Sequence, residues 1–199
     1  MPTTCAFTPE NLAAAGYCQN NMSGVKRLYT CPLADITAQN IAKAATFSGP
    51  EDFVKLVTPT AEKAYTCGTG KGFAKIYVGE DLGQLDYEVQ GTKGCRSLKA
   101  KLNITHPGLS RKAIGTLTAL LNVEIVAVAE LNNGEYHFLG DLERGATIAD
   151  DSAVNSGKAV ADPNGVVFSI EWNTLAPCIA DDAFSAEDAT TGLPLIATT

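Results

Sequence analysis

Charged side chains are scarce in this chain. They make up 19% of 199 residues, against 45% hydrophobic residues. That balance excludes a disordered polyelectrolyte and fits a protein that covers much of its surface with neighbours. Basic residues are scarcer than acidic ones, 15 against 22, for a net charge of −7 and a pI near 4.8. A simple nucleic-acid binder is thereby disfavoured, because it needs basic surface to release counterions. A wall along which nucleic acid slides without sticking remains compatible. Imidazole is limited to His106 and His137, and none of the six cysteines (Cys5, Cys18, Cys31, Cys67, Cys95, Cys178) has CxxC spacing, which argues against a zinc site. The even cysteine count admits disulfides. Residues 1–10, however, lack the basic start and apolar stretch of a secretory signal, so reduced thiols in a reducing cytoplasm are the expectation. No run reaches the roughly 20 apolar residues of a membrane helix, and there is no internal repeat.

The motifs of chemistry are missing as well. Gly68-Thr-Gly-Lys-Gly72 departs from the phosphate loop GxxxxGK[ST]. Its first glycine is too close, Gly72 replaces the hydroxyl residue, and a strand follows instead of a helix. Asp141, Glu143, Asp150, Asp151 and Asp162 lack the spacing of a calcium loop and read as solvated turns. Asp86 and Glu88 share one face of a predicted strand, the pattern of an acidic exposed face. No serine or cysteine sits in a nucleophile elbow.

What is present is scaffold. Ser97–Thr105 alternates strictly, with Leu98, Ala100, Leu102 and Ile104 on one face and Lys99, Lys101, Asn103 and Thr105 on the other. That period marks a strand with one buried face. His106-Pro107-Gly108 breaks it, and Ser110 caps a predicted helix through Leu121 with Ala113, Ile114, Leu117 and Leu121 along one stripe. An apolar strand, Val123–Ala129, follows, with Glu124 at its entry facing water. Asn132-Asn133-Gly134 then turns the chain into Glu135–Leu139. Leu85–Gln90 pairs with the Ser97 strand across a Gly91–Gly94 loop. Val25–Tyr29 and Ala74–Val78 read as further strands. Lys158–Ala161 and Val166–Trp172 flank Asp162-Pro163-Asn164-Gly165, a hairpin signal. Phe168 and Trp172 alternate with Val166 and Ile170 as core or interface.

Elsewhere the pattern is weaker. Thr8–Ala15 fits a short helix, Ala34–Ala45 fits a helix or an irregular stretch, and Glu51–Val57 is ambiguous. Residues 180–199 are acidic and then apolar-small without periodicity, the composition of a flexible tail or an arm that orders on a partner. About seven strands and one helix predict a mainly β (α+β) fold, a sandwich or barrel with one flanking helix. The predicted division is an N-terminal arm over 1–21, a β-rich core over 22–178 and an acidic tail over 179–199.

The order of these segments resembles the tail tube (major tail) proteins of tailed bacteriophages. The resemblance rests on the Gly24–Tyr29 strand, the alternating Ser97–Thr105 strand, the Ser110–Leu121 helix and the apolar Val123–Ala129 strand. Asn132–Tyr136, Phe138-Leu139-Gly140, Ser156-Gly157 and Asp162–Gly165 before a last strand complete it. It covers most of residues 22–175. The six cysteines, the long N-terminal part and the acidic tail depart from the family pattern. The resemblance implies protomers joined sheet to sheet in a closed, usually six-membered ring. Stacked rings then form a conduit for DNA and the tape-measure protein. It implies no enzyme activity, no catalytic residue and no cofactor. Partners are other copies, tape measure and terminator proteins, and double-stranded DNA in transit without specific binding, with no membrane. The setting is the virion tail, assembled in the host cytoplasm. Candidate assembly positions are Leu85, Tyr87, Val89, Leu98, Leu102 and Ile104; candidate inter-ring contacts are Asp141, Glu143, Asp150 and Asp151. The competing expectations are a capsid decoration or head–tail connector protein and, from another class, a small β-barrel ligand-binding module or enzyme.

Overall fold

The computed structural model describes residues 23–40, 55–57, 63–79, 81–157, 164–180, 184–188 and 192–196. The readings of Thr8–Ala15, Lys158–Ala161 and the N-terminal arm lie outside these residues, as do Asp162 and Pro163. The described residues are mainly β with one helix, as expected. In order it forms β1 (Val25–Pro32), a 3-10 turn (Leu33–Asp35), β2 (Ile36–Gln39), β3 (Lys55–Val57), β4 (Tyr65–Cys67), β5 (Ala74–Tyr77) and β6 (Gly83–Gln90). Then come β7 (Ser97–Pro107), α1 (Arg111–Leu120), β8 (Ile125–Leu131), β9 (Tyr136–Leu139), β10 (Thr147–Ile148), β11 (Ala153–Asn155), β12 (Gly165–Thr174) and β13 (Cys178–Ala180).

The strands build a six-stranded sheet in the order β3-β13-β9-β8-β1-β5 and a second sheet in the order β10-β12-β7-β6, with β11 also on β12. All pairings are antiparallel except β13 with β3. The alternation of β7 does what its period dictates: Ala100, Leu102 and Ile104 are buried with Phe168, Ile170 and Trp172 of β12. Across from them the first sheet contributes Leu28, Ala127, Ala129 and Leu139 to the same core. A 2.9 Å hydrogen bond between Tyr87 Oη on β6 and His137 Nδ1 on β9 joins the two layers.

β8 reads as an almost unbroken apolar run because both its faces are covered; Ile125 to Glu130 are all buried. Its second face, with that of β1 and β9, is covered by the two-stranded β2–β4 ribbon and by residues near the C-terminus. Tyr65 of the ribbon packs at a tilt against Phe73 and Phe138, and Phe184 meets Tyr136 and Phe138 edge-on. Phe184, Ala186 and Leu193 are buried, and Phe73 N–H donates to the Pro194 carbonyl. The described part of the region read as an acidic tail is therefore a strap on the core, and β13 crosses the boundary drawn at residue 178.

Three further readings are corrected. Ala34–Gln39, expected as helix or irregular chain, is the end of a 3-10 turn and a strand; residues 41–45 of that reading lie outside the described residues. β7 runs on through His106 and Pro107. The helix is capped by Ser110 Oγ accepting from Ala113 N–H, but it buries Ala113, Leu117 and Leu120, while Ile114 and Leu121 are exposed. Glu124 faces solvent, as its position at a strand entry requires.

Candidate assembly edge

β6 is the last strand of its sheet. Its eight residues pair with β7 along one side, from Gly83 opposite Ile104 to Gln90 opposite Ser97. No strand among the described residues takes its other side. An edge of that length leaves a row of backbone donors and acceptors open to another chain. Leu85 and Tyr87 point toward the core and are half-buried, whereas Val89, near the hairpin end, is 66% exposed. Gly83 holds the other end close to the first sheet, since a Cβ there would lie 2.7 Å from Val25 Cβ. A groove of about 710 Å³ borders this part of the strand, lined by Leu85, Tyr87, Ile104, Leu131 and His137.

The opposite edge of the sheet is different in kind. β10 and β11 both lie on β12, the first against Glu171 and Ile170, the second against residues 165–167. Between them the backbone ladder is replaced in part by a side chain: Ser152 Oγ accepts from Ser169 N–H at 2.9 Å and donates to the Ser169 carbonyl at 3.2 Å. β11 is exposed along its whole length. One edge is thus long and continuous, the other short and stepped.

The polar face of this sheet carries paired charge. Lys99 Nζ lies 2.7 Å from Glu171, and Lys101 Nζ lies 2.6 Å from Asp151 and 3.9 Å from Glu171. The hydrogen bond to Asp151 raises the Lys101 pKa, and the same bond holds the Asp151 carboxyl below its ordinary value. Asp86 and Glu88 stand opposite Lys101 and Lys99 in register. The face therefore sets Asp86, Glu88, Asp151 and Glu171 against Lys99 and Lys101, an acidic excess.

Behind the edge, His137 is buried. Burial lowers its pKa, opposed by the Glu135 carboxylate 3.6 Å from Nε2. That distance is too long for a hydrogen bond, and Nε2 has no other partner among the described residues. Burial raises the Tyr87 pKa, so Tyr87 and His137 meet as neutral groups at neutral pH.

The predicted site residues divide accordingly. Leu102 and Ile104 are 0% and 1% exposed; they are core, not assembly surface, because β7 is an interior strand whose apolar face meets the other sheet. Leu98 is half-buried on that face. Leu85, Tyr87 and Val89 do lie on an edge. Asp141 is corrected too: it is buried, and its Oδ1 accepts from the N–H groups of Glu143 and Arg144, which fixes a turn. Glu143, Asp150 and Asp151 are exposed. Sequence reasoning missed Glu171, whose only signal was a carboxylate on the wet side of the alternating Val166–Trp172 run, and His137 as the link between layers. Among the described residues, no group of three or more His, Cys, Asp or Glu side chains is placed to hold a metal ion, and no helix is long and apolar enough to cross a membrane. No protein-family model, curated protein or solved structure matches this chain.

Proposed function

We propose that this chain is a structural subunit of a bacteriophage tail tube. Its function is self-association through the β6 edge. The carrying observation is the pair of unlike edges on one sheet, continuous at β6 and stepped at β10 and β11. Two different edges that meet make a head-to-tail contact, which closes into a ring or runs on as a helix. Joining them extends the sheet from copy to copy and satisfies the open β6 backbone. The resemblance in segment order supplies the six-membered ring and the passage for DNA.

The polar face of the extended sheet then lines the channel. Its acidic excess suits transit, since like charge keeps a polyanion from sticking, and Lys99 and Lys101 are engaged by Glu171 and Asp151.

The test is negative-stain microscopy of purified protein with and without Val89→Lys. Wild type forms rings or tubes with a central channel. Val89 is exposed in the protomer, so the variant changes folding stability by no more than about 0.5 kcal/mol. A lysine on an edge strand opposes pairing, and ring formation falls. A wild-type protein that stays monomeric at high concentration, or rings untouched by the lysine, refutes this assignment of the edge.

A further inference from the structure

We propose that Cys31 and Cys67 form a redox-controlled disulfide that staples the β2–β4 ribbon to the six-stranded sheet, independently of any assembly. Their Sγ atoms are 4.0 Å apart, in contact as reduced thiols. Cys31 lies on β1, fully buried, and Cys67 ends β4, half-buried. These strands belong to different sheets, so the thiols meet through packing of the ribbon on the sheet and not through a shared ladder. A disulfide needs an S–S separation of about 2.05 Å. From 4.0 Å, each sulfur has about 1 Å to move inward to reach it. The bond closes a loop from residue 31 to residue 67, holding β2, β3 and β4 within one covalent ring.

The surroundings favour slow, selective chemistry. Burial raises the pKa of both thiols, and in Cys67 the hydrogen bond with Cys31 acts the other way. Lys71 Nζ, 3.4 Å from the Asp35 carboxylate, lowers the Cys31 pKa slightly against that burial. Cys67 is the accessible partner and reacts first. Its thiolate attacks a small-molecule disulfide RSSR, forming Cys67–S–SR and releasing RS⁻. Cys31 then gives its proton to solvent and attacks the Cys67 sulfur, expelling the second RS⁻. The two thiols lose two electrons and two protons, and RSSR becomes two RSH. In a reducing cytoplasm the pair stays open; outside the cell it closes.

The experiment treats the full-length chain with oxidised glutathione at pH 8.5, blocks the remaining thiols, and maps peptides by mass spectrometry under non-reducing conditions. The expected product is a peptide pair linking Cys31 to Cys67, with loss of about 2 Da. The thermal midpoint rises by about 5–15 °C and returns on reduction. Cys95→Ser, at an exposed thiol, keeps both effects, and Cys67→Ser loses both. Recovery of Cys31 and Cys67 as blocked thiols, or linked to other partners, overturns the proposal. A Cys31–Cys67 linkage that leaves the midpoint unchanged overturns the stapling role.

Discussion

Replacing Phe184 by alanine tests whether the C-terminal segment belongs to the core. The ring is 5% exposed. It stands edge-on to Tyr136, with centroids 5.1 Å apart, and to Phe138 at 5.5 Å. Truncating a buried phenylalanine costs about 3–5 kcal/mol, the lost transfer energy plus the cavity left behind. The segment has few other means of closing that cavity. Its neighbouring anchors are Leu193, the backbone bonds that join Phe73 to Pro194 and Ile196, and Glu187, which is bridged to Arg27 and Lys75. For a domain of this size each kcal/mol moves the midpoint by about 2–4 °C, so the expected fall is about 6–20 °C. Thermal unfolding by circular dichroism reads it. Leu175→Ala is the control, because Leu175 is 85% exposed and its loss costs no more than about 0.5 kcal/mol. If Phe184→Ala behaves like that control, the segment is a removable tail and the packing described above is wrong. Deletion of residues 181–199 is the harsher version and is expected to destabilise the protein further.

Acid should weaken the fold through His137. Burial depresses its folded pKa below the ordinary 6.5, so the unfolded chain binds the proton first. The contribution is complete above pH 6.5 and is lost as pH falls through the lowered value. Urea midpoints at pH 7.5 and 5 measure the change, and His137→Gln should shrink it; an equal pH response in both proteins would exclude His137 as its source. Gly140→Ala and Gly134→Ala form a matched pair, with φ of +99° and +98°. A Cβ at Gly140 would lie 2.7 Å from the Ile125 carbonyl oxygen, whereas one at Gly134 meets nothing within 4 Å. Both lose about 1 kcal/mol or more to backbone strain; Gly140→Ala should lose clearly more, and equal midpoints would contradict the close approach of the Gly140 turn to β8.

The sequence was readable where a regular period meets a one-sided environment. Alternation placed β7 and its buried face, and Ser110 marked the start of α1. The helix stripe was ambiguous because Ala113, Leu117 and Leu120 and the neighbouring Ile114 and Leu121 are all helix-spaced apolar positions; only packing against the sheets decides which set is buried. The strap was illegible for a different reason. Phe184, Ala186 and Leu193 are isolated anchors on a segment of turns, and an irregular segment leaves no period to detect. Asp141 looked like surface because a carboxylate that caps a turn is indistinguishable in sequence from a solvated one. The β6 edge was hidden as well: alternation looks the same in an edge strand as in a central one, and only the sheet order separates them.

The double coverage of β8 has a consequence for synthesis. Its apolar run emerges from the ribosome well before Phe184 and Leu193, which close over the sheet that contains it. At about 5–20 residues per second, the stretch from Leu131 to Leu193 takes about 3–12 s, during which the part of that face under the strap is bare. The nascent chain is therefore a client for chaperones during that interval, and slowing translation between β8 and the strap should lower soluble yield without altering the finished molecule.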